Sequence, residues 1–288
     1  FYTRLFRSRA GAWLVLQHSE TTTTETQILS AANPTGDFRS VLPREAGHEY
    51  TVEDAGEKLY ILTNWRAKNF RVMTANIGSA ADKNQWQELL PEAEDSLLDG
   101  MTTLRDWLVL EEQRDGQRKI WALNLANNEK IYLDSDEIAS AYWAIDNVNS
   151  DTNVLRYLQT SLTQPAQTWQ VDLATGTRRL LKAVRVPGDF NPDHYATRRV
   201  DVVARDGELI PVTLAFHKNT PLNGSAPGLI YGYGSYGSST FPYFNPALIS
   251  LLDRGFVYAI AHIRGGQEKG RAWYEAGKMM NKVNTFTD

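Results

Sequence analysis

The feature that most constrains this chain is a repeat. Thr26-Gln27-Ile28-Leu29-Ser30 leads on to Val41-Leu42, and Phe70-Arg71-Val72-Met73-Thr74 to Leu89-Leu90. Ile120-Trp121-Ala122-Leu123-Asn124-Leu125 leads on to Ile131-Tyr132-Leu133, and Thr168-Trp169-Gln170-Val171-Asp172-Leu173 to Leu180-Leu181. Corresponding positions recur about every 44 to 50 residues, the spacing of propeller blades built from four short strands. One such sheet cannot bury both of its faces, so each must stack on its neighbours. The pattern predicts about four blades, a partial ring.

Up to about Val184 the segments alternate in hydrophobicity, and none sustains a 3.6-residue period. Strands are expected at 12–17, 26–30, 58–63, 70–75, 107–112, 119–125, 155–160 and 168–173. Asp115-Gly116, Asn127-Asn128 and Thr175-Gly176-Thr177 supply the clearest turns. A different texture starts after Val186-Pro187-Gly188-Asp189-Phe190-Asn191-Pro192, which reads as a linker. Two strands, 195–204 and 209–217, flank the hairpin signal Arg205-Asp206-Gly207-Glu208. A short apolar run ending in a glycine-rich loop, a helix at 247–254 and a near-continuous apolar strand at 256–263 then open an α/β unit. The expected organisation is mainly β followed by α/β, with units at 1–187 and 188–288.

Composition removes several classes of function. With 30 Lys+Arg against 34 Asp+Glu and no like-charge run, neither a nucleic-acid surface nor an anionic membrane is suggested as a partner. Zero cysteines exclude disulfides, Cys-ligated zinc and a thiol nucleophile, and fit a reducing compartment, so a cytoplasmic location is expected. The five histidines, His18, His48, His194, His217 and His262, lack metal-ligand spacing, and neither a metal nor a cofactor is expected. No stretch approaches the ~20 apolar residues of a membrane-spanning helix. The oligomeric state is left open.

Denser motifs lie near the end. Leu229-Ile230-Tyr231-Gly232-Tyr233-Gly234-Ser235-Tyr236-Gly237-Ser238-Ser239 is followed by Leu251-Leu252-Asp253-Arg254-Gly255-Phe256-Val257-Tyr258-Ala259-Ile260. Then comes His262-Ile263-Arg264-Gly265-Gly266-Gln267-Glu268-Lys269-Gly270-Arg271-Ala272-Trp273-Tyr274-Glu275. With Gly277-Lys278, Asn284-Thr285-Phe286-Thr287-Asp288, Val203-Ala204-Arg205-Asp206-Gly207, His48-Glu49-Tyr50 and Lys68-Asn69-Phe70, these resemble the oligopeptidase B branch of the prolyl oligopeptidase family.

The resemblance implies the last blades of a seven-bladed propeller capping an α/β-hydrolase domain, and a serine peptidase that cleaves short peptides after Lys or Arg. The nucleophile of such a domain rides on a Gly-x-Ser-x-Gly elbow, with the acid and histidine after it. No such elbow occurs here, since Tyr233 stands two residues before Ser235. With an opening Phe1 and an end at Asp288, the chain reads as an internal piece lacking Ser, Asp and His of the triad, inactive alone.

By the same resemblance Tyr233 donates to the oxyanion, the competing reading being a packed loop aromatic. Tyr236 matches a substrate-contacting aromatic, or else a surface turn residue. Phe241 and Tyr243 stand where some relatives place acidic residues that attract a second basic side chain, so both are substrate-facing candidates and preference for paired basic residues is not implied. Arg264 and Glu268 are expected as a desolvated pair bracing the loops. Gln267 replaces a glycine common in the family. A prolyl-specific peptidase and a propeller-based binding module without catalysis are the alternatives.

Overall fold

The computed structural model describes residues 2–133, 139–145 and 147–288. The first part forms four antiparallel meanders of four strands, each strand paired with the next in sequence. The blades are Tyr2–Arg7, Trp13–Ser19, Thr24–Ser30 and Arg39–Leu42; Tyr50–Ala55, Lys58–Thr63, Arg71–Asn76 and Gln87–Leu90; Leu97–Thr103, Trp107–Arg114, Gln117–Asn124 and Lys130–Tyr132; and Ala141–Ala144, Val154–Thr160, Gln167–Asp172 and Arg178–Ala183. Among the described residues from 20 to 180, helical structure is limited to the 3₁₀ turns Ile77–Ser79 and Lys83–Gln85.

Stacking explains the composition of the middle strands. Lys58–Thr63 buries every residue after its first, and Leu108, Val109 and Leu110 of Trp107–Arg114 are wholly enclosed. A strand sandwiched between blades loses both faces to protein and reads as an apolar run. Three apolar clusters lie between successive blades: Val15, Ile28 and Leu42 meet Ile61, Met73 and Trp86; Tyr60, Leu62 and Val72 meet Leu108, Leu110 and Trp121; Val109, Ile120 and Ala122 meet Tyr142, Leu155 and Tyr157. The first strand of the first blade, Tyr2–Arg7, and the last of the fourth, Arg178–Ala183, are exposed along their whole length.

The second part is one mixed sheet. Tyr195–Val203 and Leu209–His217 form the expected hairpin, Val257–Ala261 pairs antiparallel to the second of these, and Gly228–Tyr231 pairs parallel to Val257–Ala261. Parallel neighbours need a crossover, supplied by helix α1 (Pro246–Asp253). Asn245 caps α1 by accepting from the Ala247 N–H, and Pro246 occupies its first turn. Leu248, Ile249 and Leu252 of α1 pack on Ala215 and Ile260 of the sheet, and Leu162 from the fourth blade closes the same cluster. Two short helices follow, α2 (Arg271–Glu275) and α3 (Lys282–Thr287).

The two parts meet along a polar seam. Asn69, buried between the second and third blades, donates from Nδ2 to the Ala93 and Glu94 carbonyls. Its Oδ1 accepts the Arg271 N–H at 2.8 Å, so a propeller side chain caps α2. The preceding Gly270 has φ 89°, and a Cβ there would lie 2.6 Å from Asn69 Oδ1, so only glycine fits. Gly116 N–H donates to the Glu268 carbonyl, Ser239 Oγ to Gln113 Oε1, and Phe244 N–H to Thr160 Oγ1. Lys68 and Glu275 form an exposed pair across the seam at 3.4 Å.

Replacing Asn69 removes three hydrogen bonds made by its buried side chain, each worth roughly 1 kcal/mol. Asn69→Ala is therefore expected to lower the stability of the chain by about 2 to 3 kcal/mol, whereas Lys68→Ala, at a solvated pair, leaves it unchanged. Urea midpoints measured on the two variants check this; equal midpoints would mean that the seam carries no such cap.

Candidate active site

In an α/β sheet, ligands gather beyond the carboxyl ends of the parallel strands. Gly228–Tyr231 ends into Gly232-Tyr233-Gly234, and Val257–Ala261 ends into the run His262 to Glu268. Both loops leave the sheet on the side that faces the propeller seam.

Their contact is backbone against backbone. Gly234 has φ 57°, and a Cβ on it would lie 2.6 Å from Thr285 Cγ2 and 2.8 Å from the Arg264 carbonyl. Gly265 has φ 102°, and a Cβ there would lie 2.1 Å from the Gly234 carbonyl oxygen. Glycine at both positions is what lets the loops touch. Thr285 of α3 then fastens them, its hydroxyl donating to the Arg264 carbonyl at 2.7 Å, while Lys282 Nζ donates to the Gly234 carbonyl.

Arg264 is almost fully buried, and Asp288 holds it. Its backbone N–H donates to Asp288 Oδ2 at 2.7 Å and its Nε to Oδ1 at 2.8 Å, while Nη2 reaches Asp206 Oδ2 at 2.7 Å. Hydrogen bonding to Asp288 raises the guanidinium's pKa above its ordinary value. The expected pairing of Arg264 with Glu268 is therefore corrected. Gly265 and Gly266 turn the chain between them, so Arg264 faces α3 and the hairpin turn. Glu268 instead accepts the Thr240 N–H at 2.9 Å through Oε1.

Glu268 is 1% exposed, and its Oε2 meets no partner among the described residues. Burial pushes its carboxyl up to about 7, the Thr240 N–H opposing the rise. His262, also enclosed, shares a hydrogen bond with Thr213 at 2.8 Å, and burial holds its imidazole down at about 3. It stays neutral and is shut away from solvent.

A cavity of about 590 Å³ lies beside these loops. Tyr233, Phe241 and Tyr243 line it with Tyr231, Leu248 and Leu162. Tyr233 is 46% exposed, and its hydroxyl bonds to no described residue. Tyr236 is 76% exposed at φ 55°, in a turn closed by the Ser238 N–H on the Ser235 carbonyl, and lies outside the cavity lining. Phe241 and Tyr243 rest on the propeller: Trp143 stacks on Tyr243 with centroids 4.7 Å apart and meets Phe241 edge-on at 5.9 Å. The Arg118 guanidinium sits over Trp143 and Phe241 and pairs with Glu111 at 2.7 Å and with Asp99.

Trp143, Arg118 and Gln113 are not legible as site residues, because each serves the site from a blade far away in sequence, while Asn69 lies in a motif that carries the resemblance without a role attached to it. An aromatic pair such as Tyr142-Trp143 opening a strand was the available signal for one of them.

A bladed propeller seated on the opening strands of an α/β-hydrolase domain, with a tyrosine-bearing loop at the seam, defines the propeller-capped peptidases. The match to known proteins narrows this. Residues 1–184 match the N-terminal β-propeller domain of prolyl oligopeptidase, and residues 242–288 match the prolyl oligopeptidase family. The chain belongs to the prolyl oligopeptidase family of peptidases. It is 40% identical over its full length to dipeptidyl aminopeptidase BI of Pseudoxanthomonas mexicana, and 32% identical over 98% of its length to Protease 2 of Moraxella lacunata. It spans 40% of each of those relatives. Oligopeptidase B from Leishmania major superposes on the whole chain with a TM-score of 0.92 at 29% identity, the chain covering 42% of that structure. Oligopeptidase B from Trypanosoma brucei with covalently bound antipain gives 0.91 at 32%, again over 42% of that structure.

Ionised Glu268 is disfavoured in the folded state. With its pKa raised from 4.5 to about 7, the folded chain binds the proton more tightly, so the stability lost to ionisation grows between those two pH values and levels off above. Glu268→Gln removes that loss. The variant is expected to gain on the parent by up to about 3 kcal/mol between pH 5 and pH 8. Paired denaturation curves at the two pH values check this, since the buried histidines contribute equally to both proteins. A stability difference independent of pH would return Glu268 to an ordinary carboxylate.

Proposed function

We propose that the complete peptidase carrying this chain hydrolyses short peptides, with a serine nucleophile supplied outside residues 1–288 and Tyr233 donating to the oxyanion. The supporting observation is the Tyr233 hydroxyl itself. It stands at the carboxyl end of a parallel strand, on a cavity wall, without a partner among the described residues, on a loop locked by the Gly234–Gly265 contact. An oxyanion donor must be fixed before charge develops and must not already be engaged. Phe241 and Tyr243 give the cavity an aromatic wall for substrate side chains, Tyr236 meets substrate from the exposed turn outside that wall, and Arg264 and Glu268 brace the loops. The chain has no cysteine, in keeping with a cytoplasmic setting.

The preferred substrates are short peptides cut after Lys or Arg, supported by the likeness to oligopeptidase B. A second reading, release of dipeptides from a free amino end, draws on the 40% identity to a protein named dipeptidyl aminopeptidase BI. Arg-containing reporter peptides with free and with blocked amino ends separate the two. Turnover of the blocked peptide supports the endopeptidase, and turnover confined to the free one supports dipeptide release.

If the Tyr233 hydroxyl meets the oxyanion only as charge develops, its removal costs transition-state stabilisation and leaves ground-state binding intact. Tyr233→Phe in the complete enzyme is expected to lower kcat about 100- to 1,000-fold with little change in KM. A Phe ring preserves nearly every packing contact, so a kcat within about threefold of the parent would assign Tyr233 to packing instead.

A further inference from the structure

We propose that Gln267 is a positioning residue, the middle link of a hydrogen-bonded chain that runs from the propeller to the loop carrying Tyr233. The inference rests on the oxyanion reading of Tyr233. Glu49, just before the first strand of the second blade, accepts from Arg271 Nη2 at 2.7 Å. Arg271 Nη1 donates to Gln267 Oε1 at 3.3 Å, and Gln267 Nε2 donates to the Gly237 carbonyl at 2.9 Å. The Gln267 backbone N–H adds a bond to Ser239 Oγ at 3.2 Å, and that hydroxyl in turn donates to Gln113 of the third blade at 2.6 Å.

The chemistry of the two ends fixes the amide. A guanidinium can only donate and a backbone carbonyl can only accept, so the Gln267 oxygen must face Arg271 and its nitrogen must face Gly237. A glutamate at the same reach could hold Arg271 but, ionised, could not donate to the carbonyl. A lysine could donate but could not accept. The Glu49–Arg271 pair is largely enclosed, so its charges polarise the amide rather than being dissipated in water.

The loop needs such a brace. Gly234, Tyr236 and Gly237 all take left-handed backbone conformations, at φ 57°, 55° and 66°. A tyrosine holds such a conformation only where its surroundings over-determine it. Two bonds grip the turn at Gly237: its N–H donates to the Gly265 carbonyl, and its own carbonyl accepts from Gln267. Cutting the second lets the turn relax and carries Tyr233, four residues upstream, off its aim.

The test is a double-mutant cycle in the complete enzyme. Gln267→Ala is expected to lower kcat about 10-fold or more with KM within about twofold, since small misplacements of a catalytic group cost up to roughly 100-fold. Gln267→Glu should match it, and also serves if the alanine variant folds poorly. In the Tyr233→Phe background, Gln267→Ala should cost less than about twofold, because the group it aims is already gone. An undiminished loss in that background, or a silent Gln267→Ala beside a costly Tyr233→Phe, overturns the positioning role alone. A silent Tyr233→Phe overturns the oxyanion reading and this inference with it.

Discussion

The structure turns on a contact without side chains. The Gly234 carbonyl lies so close to Gly265 that no β-carbon could stand between them. Two parallel strands deliver these glycines to the same place. Everything that fixes the loops is arranged around that touch: Thr285 bonded to the Arg264 carbonyl, Asp288 holding both the backbone and the side chain of Arg264, and Lys282 on the Gly234 carbonyl. Charge lies outside the contact and geometry within it. The loop beside it presents Tyr233 with a hydroxyl that bonds to none of the described residues.

The propeller takes part in this arrangement. Trp143 and Arg118 support Phe241 and Tyr243, Gln113 holds Ser239, and Asn69 holds the start of α2. The blades derive their own stability from the three apolar layers between them, which frees their seam-facing residues to be polar. The seam accordingly combines directional bonds with two apolar contacts, Leu162 against α1 and Trp143 against Phe241 and Tyr243.

Much of the fold was legible because local chemistry and global packing agree. Lys58–Thr63, and the Tyr195–Val203 and Leu209–His217 hairpin around Asp206-Gly207, lie where alternation and turn residues put them. Leu97–Thr103 was not read, since Asp99-Gly100 carries turn chemistry. In the sheet Gly100 sits opposite Glu111, with no room for a Cβ, next to a register shift. Helices α2 and α3 are too short to show a period. At the site, the glycine-rich motifs marked the loops, but pairing could not be inferred from proximity in sequence. Arg264 is four residues from Glu268 yet bonds to Asp288 and Asp206, each separated from it by many residues and brought near only by the sheet and α3.

The cap on α2 ties local order to the arrangement of the whole. Five residues make little more than a turn, and a turn that short does not persist in water by itself. Its first N–H is satisfied only while Asn69 of the propeller is in reach. Parting the two units would therefore do more than widen a gap. It would release the segment from Gly270 to Gly277, whose far end packs against the backbone of Arg264 and Gly265. Contact between the two units and order in the segment beneath the tyrosine loop are in this sense one property, and neither can be lost alone.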